Sequence, residues 1–554
     1  MPSRQAMGEP SYSSQSDRVK SLNQSGWYMP ETKNRQPRID INSQFRHALD
    51  IAENTTRSIF ITGRAGTGKS TLLDYFRKTT KKKVVVLAPT GVAALNVKGQ
   101  TIHSFFGFKP NITLERVRKV RSGNNKGNVY EKLDAIVIDE ISMVRADLLD
   151  CVDKFLRLNG PKADQPFGGI QMILVGDLYQ LPPVIAGDEE KVVFGSLYET
   201  PYFYSARVFD SLELEFVELE KIYRQHDEQF ITLLNAIRNN SITEEGMEML
   251  NQRYLPEFEP SPDDRYVYLT TTNKLADEVN SKQLARLRGR PYLFTGVIEG
   301  DFGEKSLPTA VDLQVKVGAQ VMMLNNDTNG RWVNGSIGKI TAITQSQNGE
   351  QAIIAELADD EPDETVEITP YTWEIFRFFV EAGQLKSEVI GSFTQYPLML
   401  AWAITIHKGQ GKTFDRVIID IGRGTFAYGQ MYVALSRCTT MGGIVLKKPI
   451  LNKHIWVDYR VMDFLTKYQY KIADQVCPVE SKVELIREAI EKRSALEIVY
   501  LKPSDEKTTR VVRPETIGEM EYHGKKYLGM RAFCLTRNED RTFRIDRILE
   551  IRAA

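Results

Sequence analysis

A glycine-rich loop that ends in a lysine and a serine is the clearest chemical feature of the sequence. Residues 63–70 read GRAGTGKS, which matches the pattern G-x-x-x-x-G-K-[ST] between an apolar run and a helical pattern. Such a loop curls around phosphate groups, so that its N–H groups and the next helix N-terminus face the anion. Lys69 is then expected to reach the β- and γ-phosphates, and Ser70 to ligate Mg²⁺. The loop residues expected to bind ATP are Gly63, Gly66, Thr67, Gly68, Lys69, Ser70 and Thr71.

Two adjacent carboxylates follow a second apolar run, LDAIVIDE, at residues 133–140. They stand at the carboxyl end of a predicted strand, which is where doubly wound sheets bind ligands. Asp139 is predicted to hold Mg²⁺, and Glu140 to polarise the attacking water as a general base. In GDLYQLPPV (176–184), Gln180 stands where an amide could touch the γ-phosphate and sense hydrolysis.

Two arginines are candidates for transition-state stabilisation from across a cleft. They are Arg224 in the stretch EKIYRQ and Arg437 in the stretch YVALSR. An isolated arginine is usually a solvated surface charge, so these two are candidates only because the other motifs are also present. The predicted catalytic set is therefore Lys69, Asp139, Glu140, Gln180, Arg224 and Arg437.

The elements that must position these residues are short apolar strands alternating with helices. The runs SIFIT (58–62), VVVLA (84–88), AIVID (135–139) and MILVGD (172–177) fit strands buried on both faces of a parallel sheet. Similar runs return at 266–270, 417–421 and 442–446. Between them, the alternating stretch 313–324 and two Asn-Gly turn signals predict an antiparallel β insertion.

Composition narrows the class of protein. The 554 residues carry 72 basic and 72 acidic side chains, so the net charge alone argues mildly against a nucleic-acid partner. An acidic block at 350–370 offsets basic surface elsewhere, and distribution matters more than the sum. The four cysteines are far apart and show no C-x-x-C pair, which favours a reducing cytosol over disulfides or zinc. No apolar run is long enough to span a membrane, and residues 1–20 lack the apolar segment of a secretory signal.

The order of the motifs resembles that of superfamily 1 helicases, and within them the petite-integration-frequency (PIF) family. The stretches that carry the resemblance are GRAGTGKS, LAPTGVAALNVKGQTIHSFF (87–106), IVIDEISMV (136–144), FGGIQMILVGDLYQLPPV (167–184), IYRQ (222–225), VGAQVMMLNND with WVNGSIGKI (317–340), MLAWAITIHKGQGKTFDRV (399–417) and YVALSRC (432–438). The stretch 147–160 resembles that family's own signature. The RecD-type branch of superfamily 1 shares most of these motifs and is the alternative.

The resemblance implies an α/β fold with two RecA-like parallel-sheet domains and ATP in the cleft between them. It also implies 5′-to-3′ movement on single-stranded DNA. Gln44 would read the adenine, Gln410 and Gly411 would lie near the nucleotide, and residues 109–128 would hold the wedge that splits the duplex. The residues implied to contact DNA are Pro89, Thr90, Gly91, His103, Thr405, His407 and Lys408. Gly409 departs from the family, in which a serine is usual.

Aromatic side chains near these motifs are candidates for stacking on bases, with core packing as the alternative reading. They are Phe105, Phe106, Phe108 and Tyr396.

Residues 484–554 resemble a WYL domain, a small Sm-like β barrel of bacterial regulators. Lys526 replaces the tryptophan of the family's naming triad, whereas Tyr527 and Leu528 remain. The resemblance implies that arginines bind single-stranded nucleic acid or a nucleotide-like ligand, unless they pair structurally with nearby acids. The arginines implied are Arg510, Arg513, Arg541 and Arg544, with Arg531 and Arg537 as further candidates.

These readings combine into one expected organisation. The predicted segments are a flexible tail (1–36), a first RecA-like domain (37–220), a second one (221–312 and 391–455), a Src-homology-3-like β-barrel insertion (313–390), a linker (456–483) and a WYL domain (484–554). The expected activity is that of an ATP- and Mg²⁺-dependent DNA helicase in the bacterial cytoplasm. Its expected partners are single-stranded and forked or structured DNA, with no membrane contact, and a monomer is expected. The alternatives are a DNA translocase and a WYL-type regulator in which ATP acts as a switch.

Overall fold

The computed structural model describes residues 40–109, 111–120, 129–185, 194–345, 351–358, 365–381, 384–422 and 424–554. The predicted flexible tail lies outside these ranges. The helices that frame the site and the domains are α1 (Ser43–Asn54), α2 (Lys69–Thr79), α3 (Gly91–Asn96), α4 (Ile102–Phe106), α5 (Ala146–Asn159), α6 (Glu228–Arg238), α7 (Glu244–Asn251), α8 (Asn273–Arg286), α9 (Gln430–Leu435), α10 (Tyr459–Val476) and α11 (Val479–Lys492).

The strands form parallel sheets at the two ends of the motor sequence and antiparallel sheets elsewhere. They are β1 (Ser58–Gly63), β2 (Val84–Ala88), β3 (Gln100–Thr101), β4 (Ala135–Ile138), β5 (Gln171–Val175), β6 (Leu214–Leu219), β7 (Val267–Thr270), β8 (Tyr292–Thr295), β9 (Val297–Gly300), β10 (Asp312–Val315), β11 (Gln320–Met323), β12 (Ile337–Gln345), β13 (Gln351–Leu357), β14 (Thr365–Ile368), β15 (Tyr371–Glu381), β16 (Gln384–Gln395), β17 (Leu398–Leu400), β18 (Ala403–Thr405), β19 (Val417–Asp420), β20 (Ile444–Leu446), β21 (Leu496–Leu501), β22 (Lys507–Tyr522), β23 (Lys525–Cys534), β24 (Glu539–Arg544) and β25 (Ile548–Ala553).

The first parallel sheet has the order β3-β2-β4-β5-β1-β6. Strands β1, β4 and β5 are buried along their whole length, as their continuous apolar runs predict for a sheet covered on both faces. All pairings in this sheet are parallel, so the carboxyl ends of its strands share one edge. The predicted parallel α/β core is confirmed.

The second parallel sheet has the order β18-β7-β19-β20. Its strands come from two stretches of sequence, because β7 precedes the antiparallel insertion and the other three strands follow it. Buried Leu269, Ile404, Ile418 and Val445 form its interior. The predicted runs at 266–270, 417–421 and 442–446 coincide with β7, β19 and β20 within two residues.

The antiparallel insertion covers more residues than the sequence predicts, and its strands form several separate sheets. Its five-stranded sheet has the order β14-β13-β12-β11-β17, and β8–β10 and β9–β16–β15 form two further sheets. Antiparallel pairing therefore begins at Tyr292 and ends at Leu400, outside the predicted bounds 313–390. The alternating stretch 313–324 forms two strands in different sheets, because Gly318 turns the chain with a φ of +89°. Asn348-Gly349 lies outside the described residues.

A long ribbon made by β15 and β16 reaches from the insertion to the first parallel sheet. The Gln100 side chain in β3 donates to the carbonyl of Phe376, and the rings of Phe105 and Phe378 meet edge to face. Alternation alone did not predict this contact, because the ribbon's partner is far away in sequence. Of the predicted wedge segment, residues 110 and 121–128 are outside the described ranges. Leu114–Arg116 forms a single 3-10 turn.

The predicted linker 456–483 is largely helical. Helix α10 occupies 18 residues of it. Val461, Phe464, Leu465 and Tyr468 recur at helical spacing and place one apolar face against the first domain. The rings of Phe464 and Tyr204 stack with centroids 4.0 Å apart. Burial of this face explains why the segment folds, and its periodicity is the signal that predicts it.

The C-terminal module consists of α11 and an antiparallel sheet with the order β24-β23-β22-β21-β25. Its separate core includes Ile486 of the helix and Ile498, Met530, Phe543 and Ile548 of the sheet and its connections. The helix begins at Val479, within the predicted linker. Among the described residues, no helix is long and apolar enough to cross a membrane.

Candidate functional site

The glycine-rich loop joins the end of β1 to the start of α2. Gly66 and Gly68 adopt φ values of +82° and +88°, which side-chain-bearing residues rarely adopt. A Cβ at Gly66 would stand 2.6 Å from the Cβ of Arg224, so only glycine fits this part of the loop. Lys69 Nζ donates to the carbonyls of Gly63 and Arg64 at 2.6 and 3.0 Å. The loop and the N-terminus of α2 thus form the concave, donor-rich surface that a phosphate chain requires.

The two predicted carboxylates lie directly after β4. Glu140 adopts a φ of +50°, which turns the chain sharply at the carboxyl edge of the sheet. Burial raises the pKa of Asp139 to about 6, against the opposing charge of Lys69. Burial and the neighbouring Asp139 raise the pKa of Glu140 to about 7. A carboxylate with a pKa near neutrality suits a general base.

Gln180 joins this group from the loop after β5. Its Nε2 donates to Asp177 Oδ2 at 3.2 Å, and its Oε1 accepts from Gln410 Nε2 at 3.3 Å. The same Gln410 amide donates to Glu140 Oε2 at 3.2 Å. Three side chains predicted to lie near the nucleotide, from both halves of the motor, therefore meet at one point.

The two candidate arginine fingers lie side by side. Arg224 donates to the carbonyls of Ser436 and Gly411 at 3.1 and 3.3 Å. Arg437 is 1% exposed and donates from Nε to the Val433 carbonyl at 2.9 Å. Burial, together with the charge of Arg224, lowers the pKa of Arg437 to about 9. Both guanidinium groups lie on the side of the second sheet that carries its connecting loops.

Tyr432 is a site residue that sequence reasoning missed. Its hydroxyl accepts a hydrogen bond from the Ala65 N–H of the glycine-rich loop at 2.9 Å. The residue opens the stretch YVALSR, in which only the arginine was singled out. Because this motif was recognised in the sequence, its first residue could also have been identified as a candidate.

Gln44 lies at the opposite end of the loop. Its side chain exchanges two hydrogen bonds with Glu220, one to the carboxylate at 3.0 Å and one from the backbone N–H at 3.1 Å. Beside it, the rings of Phe45 and Tyr223 would lie 3.9 Å from a Cβ placed at Gly68. This aromatic wall next to an amide side chain is suited to a purine base.

An ATP and Mg²⁺ site fits the residues present. Ser70 and Asp139 offer hydroxyl and carboxylate oxygens, the ligand types that Mg²⁺ prefers alongside phosphate. Burial lowers the pKa of Lys69, although Asp177 and Glu140 oppose the shift. A phosphate chain on the loop would strengthen that opposition, so the pocket is electrostatically matched to an anion.

The residues implied to contact DNA lie at or after the carboxyl ends of β2 and β18, except for His103, which lies in α4 after β3. Thr90 caps α3 by accepting from Ala93 N–H at 3.3 Å, with Pro89 before it and Gly91 after it. Buried Thr405 accepts from the Lys408 N–H at 3.2 Å.

The remaining side chains of this set differ in exposure. Lys408 and His407 are exposed, whereas His103 of α4 is half-buried. A Cβ at Gly409 would meet its nearest neighbour at an ordinary 3.5 Å, so packing does not require glycine there. Gly411 accepts from Arg224, one of the two candidate arginine fingers.

The aromatic candidates for base stacking are core residues. Phe105, Phe106 and Phe108 are buried and pack with Tyr130 and Phe155. Tyr396 is 5% exposed and packs against Phe294 within the insertion. These rings are therefore committed to packing, as the alternative reading held.

The C-terminal arginines separate into three environments. Arg510, which is buried, and Arg541 line a cavity of about 370 Å³ together with Tyr500, Lys502 and Phe543. Arg544 pairs with Asp546 and lies over the Tyr527 ring, and Arg513 faces solvent. The structure thus brings together two of the four arginines.

The fold and the site define a two-sheet P-loop protein with an additional C-terminal module. A family model described as PIF1-like helicase matches residues 41–248, and a WYL domain model matches residues 481–553. The ATP-dependent DNA helicase Pif1 of Bdellovibrio bacteriovorus is 30% identical and aligns with 78% of this chain and 93% of its own length. The corresponding protein of Emericella nidulans is 31% identical over 74% of this chain, which spans 62% of that relative.

Comparison with solved structures indicates the same family. The crystal structure of Bacteroides Pif1 in complex with ADP-AlF4 is 35% identical, with a TM-score of 0.70 over 78% of this chain and 98% of the other. A Bacteroides Pif1 structure bound to single-stranded DNA covers the same shares at a TM-score of 0.56. This chain belongs to the PIF1-like helicase family of ATP-dependent DNA helicases and carries a WYL domain at its C-terminus.

Proposed function

We propose that the chain is a 5′-to-3′ helicase that hydrolyses Mg·ATP between its two parallel sheets while moving on single-stranded DNA. The observation that carries this proposal is the position of Gln410. From the second half of the motor, its amide contacts both Glu140 and Gln180 of the first half. The proposed catalytic carboxylate of Glu140 is therefore contacted by residues from both halves. A motor driven by nucleotide needs such a cleft, which closes when the two halves move together.

The proposed chemistry assigns one task to each side chain. Lys69 holds the β- and γ-phosphates, Ser70 and Asp139 ligate Mg²⁺, and bound Mg²⁺ supplies charge neutralisation at the phosphates. Glu140 accepts a proton from the attacking water. Gln180 senses the γ-phosphate.

The fingers and the base-binding residues complete the site. Arg224 and Arg437 stabilise the charge that develops in the transition state. In this structure both arginines donate to neutral backbone carbonyls. Charged phosphate oxygens are stronger acceptors, so they should replace these carbonyls as partners of the two arginines. Gln44 reads the base and releases Glu220 when it does so.

The proposed track for DNA runs over the loops after β2 and β18. Thr90 and Gly91 on one sheet, and Thr405, His407 and Lys408 on the other, bind phosphates of one strand. Related Pif1 proteins have been solved bound to single-stranded DNA and at forked double-stranded DNA, which supports DNA of both kinds as the ligand. Alternating grip by the two loops during the ATP cycle produces movement. We further propose that the chain acts as a monomer in the bacterial cytoplasm.

The test measures ATP hydrolysis with and without single-stranded DNA, alongside unwinding of duplexes with a 5′ or a 3′ tail. Strong stimulation and unwinding of the 5′-tailed duplex alone support the proposal. Stimulated hydrolysis with no unwinding indicates a translocase. If DNA does not stimulate hydrolysis, the proposed motor function is wrong, and the C-terminal arginines become the next candidates for the functional site.

A further inference from the structure

The turn between β21 and β22 of the C-terminal module enters the interior of the motor. Its residue Asp505 is only 6% exposed, although it stands at the tip of a hairpin. The turn is closed by hydrogen bonds of 3.0 Å from Asp505 N–H to Lys502 and from Lys502 N–H to Glu506. Asp505 adopts a φ of +55°, a conformation that aspartate and asparagine tolerate best among residues with side chains.

Asp505 accepts four hydrogen bonds from three elements of the motor. Its Oδ2 accepts from the Tyr179 hydroxyl at 3.0 Å and from Arg238 Nη1 at 3.4 Å. Its Oδ1 accepts from Gln469 of α10, and its carbonyl from Asn239, both at 3.1 Å. A buried carboxylate with this many donors is a specific contact rather than a chance one.

Arg238 connects this carboxylate to the nucleotide site. It is 2% exposed, and its guanidinium lies 3.9 Å from the centre of the Tyr179 ring. Its Nη2 is 3.7 Å from Asp177 Oδ1, so one buried cation is shared by Asp505 and Asp177. Asp177 in turn accepts from the Gln180 side chain. The module thus lies three contacts from the residue that senses the γ-phosphate.

The same hairpin also reaches the base end of the site. Lys507, the first residue of β22, donates to Glu218 at 2.5 Å and to Glu220 at 3.1 Å. Glu220 is the partner of Gln44. Two charged residues of one turn therefore act on opposite ends of the proposed ATP site.

We propose that the turn 502–507 of the WYL domain is a positioning element of the ATPase. Asp505 neutralises part of the charge of Arg238 and so leaves the Asp177 carboxylate free to hold Gln180. Docking of the turn and binding of nucleotide are then coupled, and each changes the other by the same factor. This inference rests on the proposed nucleotide roles of Gln180 and Gln44.

The first test is Asp505→Asn in the full chain. Asparagine keeps the size and the backbone conformation of the turn, so the change removes the charge and replaces one acceptor oxygen by an NH2 donor. Arg238 then pairs with Asp177 only and draws that carboxylate away from Gln180. We expect the kcat of DNA-stimulated ATP hydrolysis to fall at least fivefold. The matched control is Glu521→Gln, which removes an exposed carboxylate from the same hairpin strand and should retain wild-type kcat.

A double-mutant cycle with Tyr179→Phe separates positioning from simple loss of stability. The phenylalanine removes one donor to Asp505, so the effects of the two changes on kcat should be strongly non-additive. Additive effects, or a wild-type kcat in Asp505→Asn beside an active wild-type enzyme, overturn the inference. An inactive wild-type enzyme would instead overturn the proposed function.

A second measurement needs no variant and decides the matter if Asp505→Asn fails to fold. Hydrogen exchange of the amides in residues 502–508 is compared with and without ADP and aluminium fluoride. Coupling predicts at least a threefold change in exchange rate on nucleotide binding. Unchanged exchange, with nucleotide bound at the loop, would show that the turn is only a structural anchor.

Discussion

Lys69 is the side chain that we propose decides whether phosphate binding leads to chemistry. Its ammonium group donates to the carbonyls of Gly63 and Arg64, so it is preorganised at the phosphate surface. Glu140, with a pKa raised by burial to about 7, stands across from it. Both residues closely follow apolar strands, which is why local sequence was sufficient to make them candidates.

Replacing Lys69 by alanine should abolish unwinding and leave most DNA binding intact. The proposed DNA-contacting loops after β2 and β18 do not include Lys69, whereas the proposed transition state depends on it. We expect kcat to fall by about 10² or more, the size of effect seen when one charge-stabilising donor is removed. Steady-state hydrolysis and fluorescence anisotropy with a single-stranded oligonucleotide measure the two properties.

Lys78→Ala is the control for that variant. Lys78 is exposed near the end of the same helix, where it pairs with Asp74, so both activities should remain at wild-type levels. Equal loss of hydrolysis and DNA binding in Lys69→Ala would contradict the assigned role.

At the scale of elements, the start of α9 brings the second sheet to the catalytic loop of the first. Gly429 caps this helix with a φ of +69°, and its Cα faces the carbonyls of Tyr179 and Gln180. A Cβ there would approach the Tyr179 oxygen to 2.2 Å. Tyr432 and Arg437 follow on or just after the same helix, so this close contact sets the position of both.

Gly429→Ala should therefore separate the two halves of the site. The left-handed conformation costs alanine about 1–2 kcal/mol, and the overlap adds about 1–3 kcal/mol of packing strain. We expect a lower Tm and a kcat reduced more than tenfold, because the helix must move away from Gln180. Calorimetry and hydrolysis assays measure the two effects.

Gly442→Ala offers a matched comparison. A methyl group at Gly442 would meet no atom of the described residues within 4 Å, and the backbone there has no positive φ, so the replacement should change little. Comparable activity of the two variants would show that the close approach of α9 is unimportant for catalysis.

At the scale of the whole molecule, the WYL domain and the motor belong to one compact unit, Ile41–Ala554. Helix α10 packs on the first domain, and the turn 502–507 enters beside the nucleotide site. Besides the buried pair Asp505–Arg238, this interface holds a charged group formed by Lys507, Glu218 and Glu220. Unfolding of the WYL domain should therefore be linked to the motor through a small number of partly buried contacts.

Lys507→Glu should weaken that link by about 1–3 kcal/mol, since three carboxylates would then face one another in a partly buried place. The expected result is a separate, earlier thermal transition for the WYL domain in calorimetry. Adding Glu218→Lys restores one opposite-charge pair and should bring the transitions together again. A single transition at the wild-type Tm in Lys507→Glu would contradict this account of the interface.

Features whose causes are local could be predicted from short stretches of the chain. An apolar run buried on both faces makes a parallel strand, and the glycines that follow it supply the positive φ values of a phosphate loop. Asp139, Glu140 and Lys69 became candidates for the site in this way. The helical spacing of Val461, Phe464 and Leu465 is equally local, and the helix that it indicates lies within the predicted linker.

Tertiary structure alone decided which distant residues meet. Gln410 reaches Glu140 across 270 positions, Tyr432 reaches Ala65 across 367, and Asp505 reaches Arg238 across 267. It also decided that the candidate stacking rings are core residues. Such contacts depend on how sheets, helices and the C-terminal hairpin pack, and packing is set by the complementary burial of whole faces rather than by any short pattern. A charged residue at the tip of a hairpin has the same local signature whether it faces water or a buried arginine.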